Sequence, residues 1–137
     1  MDVIKNVKET AIKRIITGRI PPGVDLIRGI KEICREFKVK HGYIPMIIGS
    51  LENLTIIYAV PDETKKLNIK YSENTIIEGP LELLHAQGLI GEDENSDLSV
   101  HVHILVSDRY MRVFGGHLVE GGSKVAATAE IVIHEIK

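Results

Sequence analysis

The chain contains no tryptophan, two phenylalanines, four tyrosines and one cysteine. Its core must therefore be aliphatic, and Cys34 has no partner for an internal disulfide. Cys34 falls in an apolar stripe of helical spacing and reads as a small buried hydrophobe. No run approaches the ~20 consecutive apolar residues that span a bilayer. The opening MDVIKNVKET lacks an apolar segment leading to a small-residue cleavage site, so the expectation is a cytoplasmic protein with no membrane attachment. A basic excess is lacking too. The formal net charge is −2 and Lys and Arg are scattered, whereas nucleic-acid-binding domains usually concentrate basic residues on one face. Composition therefore gives DNA binding no support. Internal repeats, low-complexity tracts and linker-like breaks are absent as well, so residues 1–137 are expected to form one domain.

Ile and Val are plentiful and fall in alternating runs, which favours strands. Thr10 to Ile16 reads as a first strand, ended by Gly18 and the Pro21-Pro22-Gly23 stop. Asp25 then stands where a helix N-terminus favours a carboxylate. Leu26, Ile27, Ile30, Ile33, Cys34 and Phe37 recur at spacings of three and four, which places them on one helical face. Gly42 is the expected terminator of that helix. Beyond it the period changes. Tyr43 to Ile48 and Leu54 to Val60 read as two strands around a turn at Ser50 to Asn53, with a polar loop at Pro61 to Lys66. Further strands are expected at Lys70 to Ile77, Leu81 to Ile90, Leu98 to Val106, Arg112 to Val119 and Lys124 to Ile136. Links this short require mostly antiparallel pairing, because parallel strands need long crossovers. The fold class is α+β: a mostly antiparallel sheet with one main helix plus short helices.

Alternation sorts the strand at Val100 to Val106. Val100, Val102, Ile104 and Val106 point one way, and His101, His103 and Leu105 the other. The aliphatic face is the core face, so the histidines look onto solvent, a cleft or another subunit. Two residues at roughly 3.3 Å each separate their Cα atoms by about 6.6 Å. Two imidazoles so placed can converge on one metal ion. A third imidazole, His117, follows Gly115-Gly116, where the missing side chains let the backbone bend or approach closely. A hairpin centred near Asp108 and Arg109 would set Val106 opposite about Met111, and His101 opposite a residue between Arg112 and His117. His41 and His134 read as surface residues, and His85 as a partly buried, hydrogen-bonded one sharing a face with Leu83 and Gln87. Glu82 and Glu130 each stand in an apolar strand, where a carboxylate needs a partner or water. They read as hydrogen-bonded or edge acids, or as catalytic candidates: an acceptor orienting a ligating histidine, or a proton carrier.

The same residues carry a family resemblance. The run Gly79-Pro80-Leu81-Glu82-Leu83-Leu84, then His101-Val102-His103, Gly115-Gly116-His117-Leu118 and Thr128-Ala129-Glu130-Ile131, resembles the PPC domain shared by plants and prokaryotes. Gly23-Val24-Asp25-Leu26 is similar to the Gly-Glu-Asp-Leu that precedes the family's helix, with Val24 in place of the acid. The stretch from Ala59 to Ile77 departs from the pattern, and no Arg-Gly-Arg-Pro AT-hook is present. The likeness covers roughly residues 10 to 136. It implies an antiparallel sheet wrapped by helices, a homotrimer, a fold like that of acetolactate decarboxylase, and zinc on His101, His103 and His117.

Three functions follow as expectations. The first is a homotrimeric metal-binding module for an unknown small-molecule ligand or regulatory partner. The second is a metal-dependent hydrolase or lyase, since three protein ligands leave a fourth position for a metal-bound water. The third is a DNA-binding protein, as the family label implies.

Overall fold

The aliphatic alternation resolves into one large sheet capped by a helix. In the computed structural model, which describes residues 2–137, the elements run β1 (Ile12–Ile20), α1 (Leu26–Glu36), β2 (Gly42–Ile57), β3 (Ala59–Pro61), β4 (Ile69–Tyr71), β5 (Thr75–Glu92), β6 (Leu98–Ser107), β7 (Val113–Leu118) and β8 (Val125–Ile136). Six strands pair in the order β1-β8-β2-β5-β6-β7, and β3 and β4 form a separate two-stranded ribbon. The pairings in the large sheet are all antiparallel. The α+β reading therefore holds, but α1 is the single helix among the described residues, so the short helices expected beside it are not formed.

Helix α1 forms where its apolar spacing predicted. Leu26, Ile27, Ile30 and Cys34 are buried in the common core, and Ile33 packs against it. Each such aliphatic side chain contributes roughly 1.5–3 kcal/mol by leaving water. Asp25 is the N-cap, accepting the Arg28 N–H at 3.2 Å. Its second oxygen accepts the Ser123 N–H at 3.0 Å, which ties the helix start to the segment before β8. The helix ends sooner than expected. Phe37 is its C-cap, Lys38 adopts a left-handed φ of 56°, and Gly42 already lies in β2.

No turn interrupts residues 50–53. Strand β2 continues through them for 16 residues, kinked by register shifts between Ile44 and Ile47, Ile47 and Gly49, and Leu51 and Asn53. Polar residues there signal bulges, not a reversal. Such a strand can serve two neighbours in succession. Residues from Gly42 to Leu51 pair with β8, and Ile56 and Ile57 pair with β7. The connection between β7 and β8 fills the changeover. Ser123 Oγ accepts the Thr55 N–H at 3.0 Å, the Thr55 hydroxyl donates to the Gly122 carbonyl at 3.1 Å, and Val119 N–H donates to the Thr55 carbonyl at 3.1 Å. Because β7 touches both β6 and β2, the strands β2, β5, β6 and β7 close on one another. Similarly, Thr75 to Glu92 is one strand, so the two strands expected on either side of Gly79-Pro80 are merged.

Among the described residues, no buried side-chain N or O atom lacks a hydrogen-bond partner. The buried Glu135 illustrates this, since Arg14 Nε donates to its Oε1 at 2.8 Å. Among the described residues, no helix is long and apolar enough to cross a membrane.

Candidate metal centre

Strand β6 alternates as its sequence dictates. Val102, Ile104 and Val106 are buried, and His101, His103 and Leu105 face outward. The hairpin to β7 is wider than expected. Asp108 organises it, with Oδ1 accepting the Tyr110 and Arg112 N–H groups at 2.9 and 3.0 Å and Oδ2 accepting from Arg112 Nε at 2.7 Å. Val106 consequently pairs with Phe114, not Met111, and this register sets His117 directly opposite His103. Directly opposed residues of an antiparallel pair share a face, so His117 joins the two outward imidazoles.

The two glycines before His117 are required by close approach. A Cβ on Gly115 would lie 2.7 Å from the Ile104 carbonyl oxygen of β6, and one on Gly116 would lie 2.8 Å from the Ile57 carbonyl oxygen of β2. Strand β7 is pressed between these two backbones, and only a bare α-carbon fits at either point.

The three rings converge. His101 Nε2 lies 3.0 Å from His103 Nε2 and 3.2 Å from His117 Nδ1, and the three ligand nitrogens all fall within 4.8 Å of one another. Two nitrogens bound tetrahedrally to zinc at about 2.0–2.1 Å would be separated by about 3.3–3.4 Å, so the observed spacings suit a shared cation. The donor chemistry agrees. A ring nitrogen carries either a proton or a lone pair, and His101 Nε2 faces two other ring nitrogens at once. A cation at the centre would be met by three lone pairs. Partial burial and the charge of His103 push the His101 pKa below the ordinary histidine range, and partial burial with the charges of His101 and His103 does the same for His117. Both rings are therefore held neutral near pH 7, the form that binds metal.

The two candidate acids stand apart. Glu82 pairs with Ser107, four residues along β6 from His103, which corresponds to about 13 Å. Glu130 lies on β8 and accepts from Arg19 Nε at 2.7 Å and from the Thr128 hydroxyl at 3.1 Å. His85 does not share a face with Leu83. A bulge between them changes the strand's parity, so Leu83 is buried while His85 turns outward, opposite Leu105. His41 lies 3.4 Å from Glu92.

His85 instead lines a cavity of about 480 Å³ against the triad, together with Tyr58, Tyr71, Gln87, His103 and His117. Tyr58 follows β2 directly, and Tyr71 arrives on the β3–β4 ribbon, its ring centroid 5.6 Å from that of His117. Sequence reasoning gave neither tyrosine a place at the site. The alternation of His85 and Gln87 was a signal for this wall, whereas nothing local announced the ribbon.

Several known proteins are similar to this chain. A plant- and prokaryote-conserved (PPC) protein of Pyrococcus horikoshii is 29% identical, with a TM-score of 0.81 over 97% of this chain and 85% of that one. A metal-containing protein of Archaeoglobus fulgidus is 26% identical, with a TM-score of 0.79 over 97% of this chain and 86% of that one. The bifunctional protein GlmU of Synechococcus sp. (strain JA-3-3Ab) is 31% identical over 124 residues, which are 90% of this chain and 17% of that protein. The chain thus spans about a sixth of the length of the curated relatives it matches. The sequence pattern of the Plants and Prokaryotes Conserved (PCC) domain matches residues 7–137. This chain therefore belongs to the Plants and Prokaryotes Conserved domain family.

Proposed function

We propose that this protein is a homotrimeric, zinc-binding module of the cytoplasm, acting as one domain that receives a small ligand beside the metal or regulates a partner. The observation that carries the reading is the convergence of three imidazole nitrogens from two neighbouring strands, 3.0 and 3.2 Å apart about His101 Nε2. His101, His103 and His117 would hold the ion, which when bound supplies a positive charge and an open position for a fourth ligand. The Archaeoglobus fulgidus relative, a metal-containing protein, supports the metal. A relative in which this domain makes up about a sixth of a bifunctional protein supports an accessory, ligand-sensing role.

Self-association is supported by the outward face of the sheet. Tyr43, Ile48, Leu84, Leu89 and Leu105 each expose roughly half of their surface there. Tyr43 pairs with Leu89, and Leu89 with His101, so apolar residues flank the imidazoles. Exposed apolar patches of this kind mark contact surfaces.

A metal-dependent hydrolase or lyase is the second reading, favoured by the cavity that opens against the triad. The module reading is preferred because Glu82 and Glu130 stand away from the histidines. Nucleic-acid binding draws no support from charge, since Lys31 pairs with Glu120 and Arg35 with Glu32 beside α1.

Elemental analysis of untagged protein, with and without added zinc, tests the proposal. About one zinc per chain is expected, and His103→Ala should lose it while keeping its circular dichroism, since the buried face of β6 is untouched. Unchanged metal content in that variant would remove the site.

A further inference from the structure

We infer that the cavity beside the histidines receives a small carboxylic acid with an aromatic or branched apolar body. This inference rests on the metal-binding reading above and names the ligand class of that same site. The wall residues carry it. The lining includes no Lys, Arg, Asp or Glu, so the only full charge available to a ligand is that of a cation on the imidazoles. Three neutral ligands leave a divalent ion its whole charge, and an anionic oxygen is the natural fourth ligand. An ammonium group would find no counter-charge in the lining, and a neutral ligand would leave the cation uncompensated.

The rest of the lining describes the body of that acid. Tyr58 and Tyr71 stand at the edge of a space of about 480 Å³, within the ordinary range of small-molecule sites. Tyr71 is 56% exposed and Tyr58 44%, large fractions for rings that an apolar ligand would cover. Their flat faces suit an aromatic or branched group at low conformational cost. Gln87 and His85 offer the polar contacts that fix the ligand's orientation, one from each of two outward positions of β5. The separation of roles is physical: the cation selects the charge, and the tyrosines select the body.

Cobalt(II)-loaded protein gives a readout independent of any activity, because ligand exchange at the metal shifts its visible absorption. Phenylacetate should shift the spectrum at a concentration at least tenfold lower than acetate, and benzyl alcohol should fail to displace it. Tyr71→Ala and, separately, Tyr58→Ala should bring phenylacetate to the level of acetate while leaving cobalt binding and the acetate response unchanged. Equal responses to phenylacetate and acetate would overturn the apolar body, and effective competition by benzyl alcohol would overturn the carboxylate. A phenylacetate advantage that survives in both tyrosine variants would overturn the assigned walls. Failure to bind cobalt at all would instead sink the metal reading, and this inference with it.

Discussion

At the scale of the residue, the site depends on three imidazoles that must be neutral together. His101 and His117 titrate below the usual value near 6.5, chiefly because burial disfavours the charged ring and then because neighbouring rings repel it. The sign follows. An unfolded chain holds these protons to higher pH than the folded one, so both rings favour folding above about pH 6.5 and that contribution is lost as pH falls toward their lowered values. Metal binding has the same sense, because each proton competes for a lone pair. Zinc titrations between pH 8 and 5 should therefore show affinity nearly flat down to about pH 6.5, then falling steeply with decreasing pH. A profile that is flat to pH 5 would exclude histidine ligation. Cys34 takes no part in this chemistry: burial raises its thiol to about 11, leaving a packed hydrophobe.

At the scale of the element, strand β7 sets the geometry. It lies between β6 and β2, with Gly116 beneath the Ile57 carbonyl. Gly116→Ala would push a methyl group to 2.8 Å from that oxygen, so β7 must shift and carry His117 with it. The expected cost is about 1–3 kcal/mol of stability, with zinc affinity down by on the order of tenfold or more. Thermal melts with and without zinc check both effects, and an unchanged zinc affinity would show that β7 does not position His117. Much of this scale was legible beforehand. The period of α1 and the alternation in β6 follow from side-chain direction alone, and so did the pairing of two histidines on one face. Continuity was not legible. Ser50 to Asn53 look like a chain reversal and Gly79-Pro80 separates two expected strands, yet pairing of β2 with β5 and β8 holds the first in a strand and pairing of β5 with β2 the second. The bulge that turns His85 outward is equally a tertiary effect, because strict alternation has no means of counting an extra residue. The β3–β4 ribbon was invisible for a related reason: three-residue strands carry too little pattern to be read.

At the scale of the whole molecule, the proposed trimer would cover the outward apolar side chains Tyr43, Leu89 and Leu105. Light scattering of the purified protein should give a mass near three chains of 15.2 kDa, about 46 kDa. A monomer of 15.2 kDa would leave Tyr43, Leu89 and Leu105 facing water and would overturn the trimer. Leu89→Lys provides the control. A charge beside Tyr43 and His101 should lower the mass without unfolding the chain, because that side chain is 56% exposed.

The pairing of β1 with β8 has a further consequence. Ile12 faces Ile136, Lys137 N–H donates to the Ala11 carbonyl at 3.1 Å, and the Thr10 hydroxyl donates to the Lys137 carbonyl at 3.2 Å. The first and last strands thus meet at one margin of the sheet, while the histidines sit on β6 and β7, which join the rest of the sheet through β5 and β2. A surrounding polypeptide would enter and leave through a single doorway without crossing the metal ligands. Adjacent ends of this kind are what a domain needs if it is to be joined into a longer chain without disturbing its own strands.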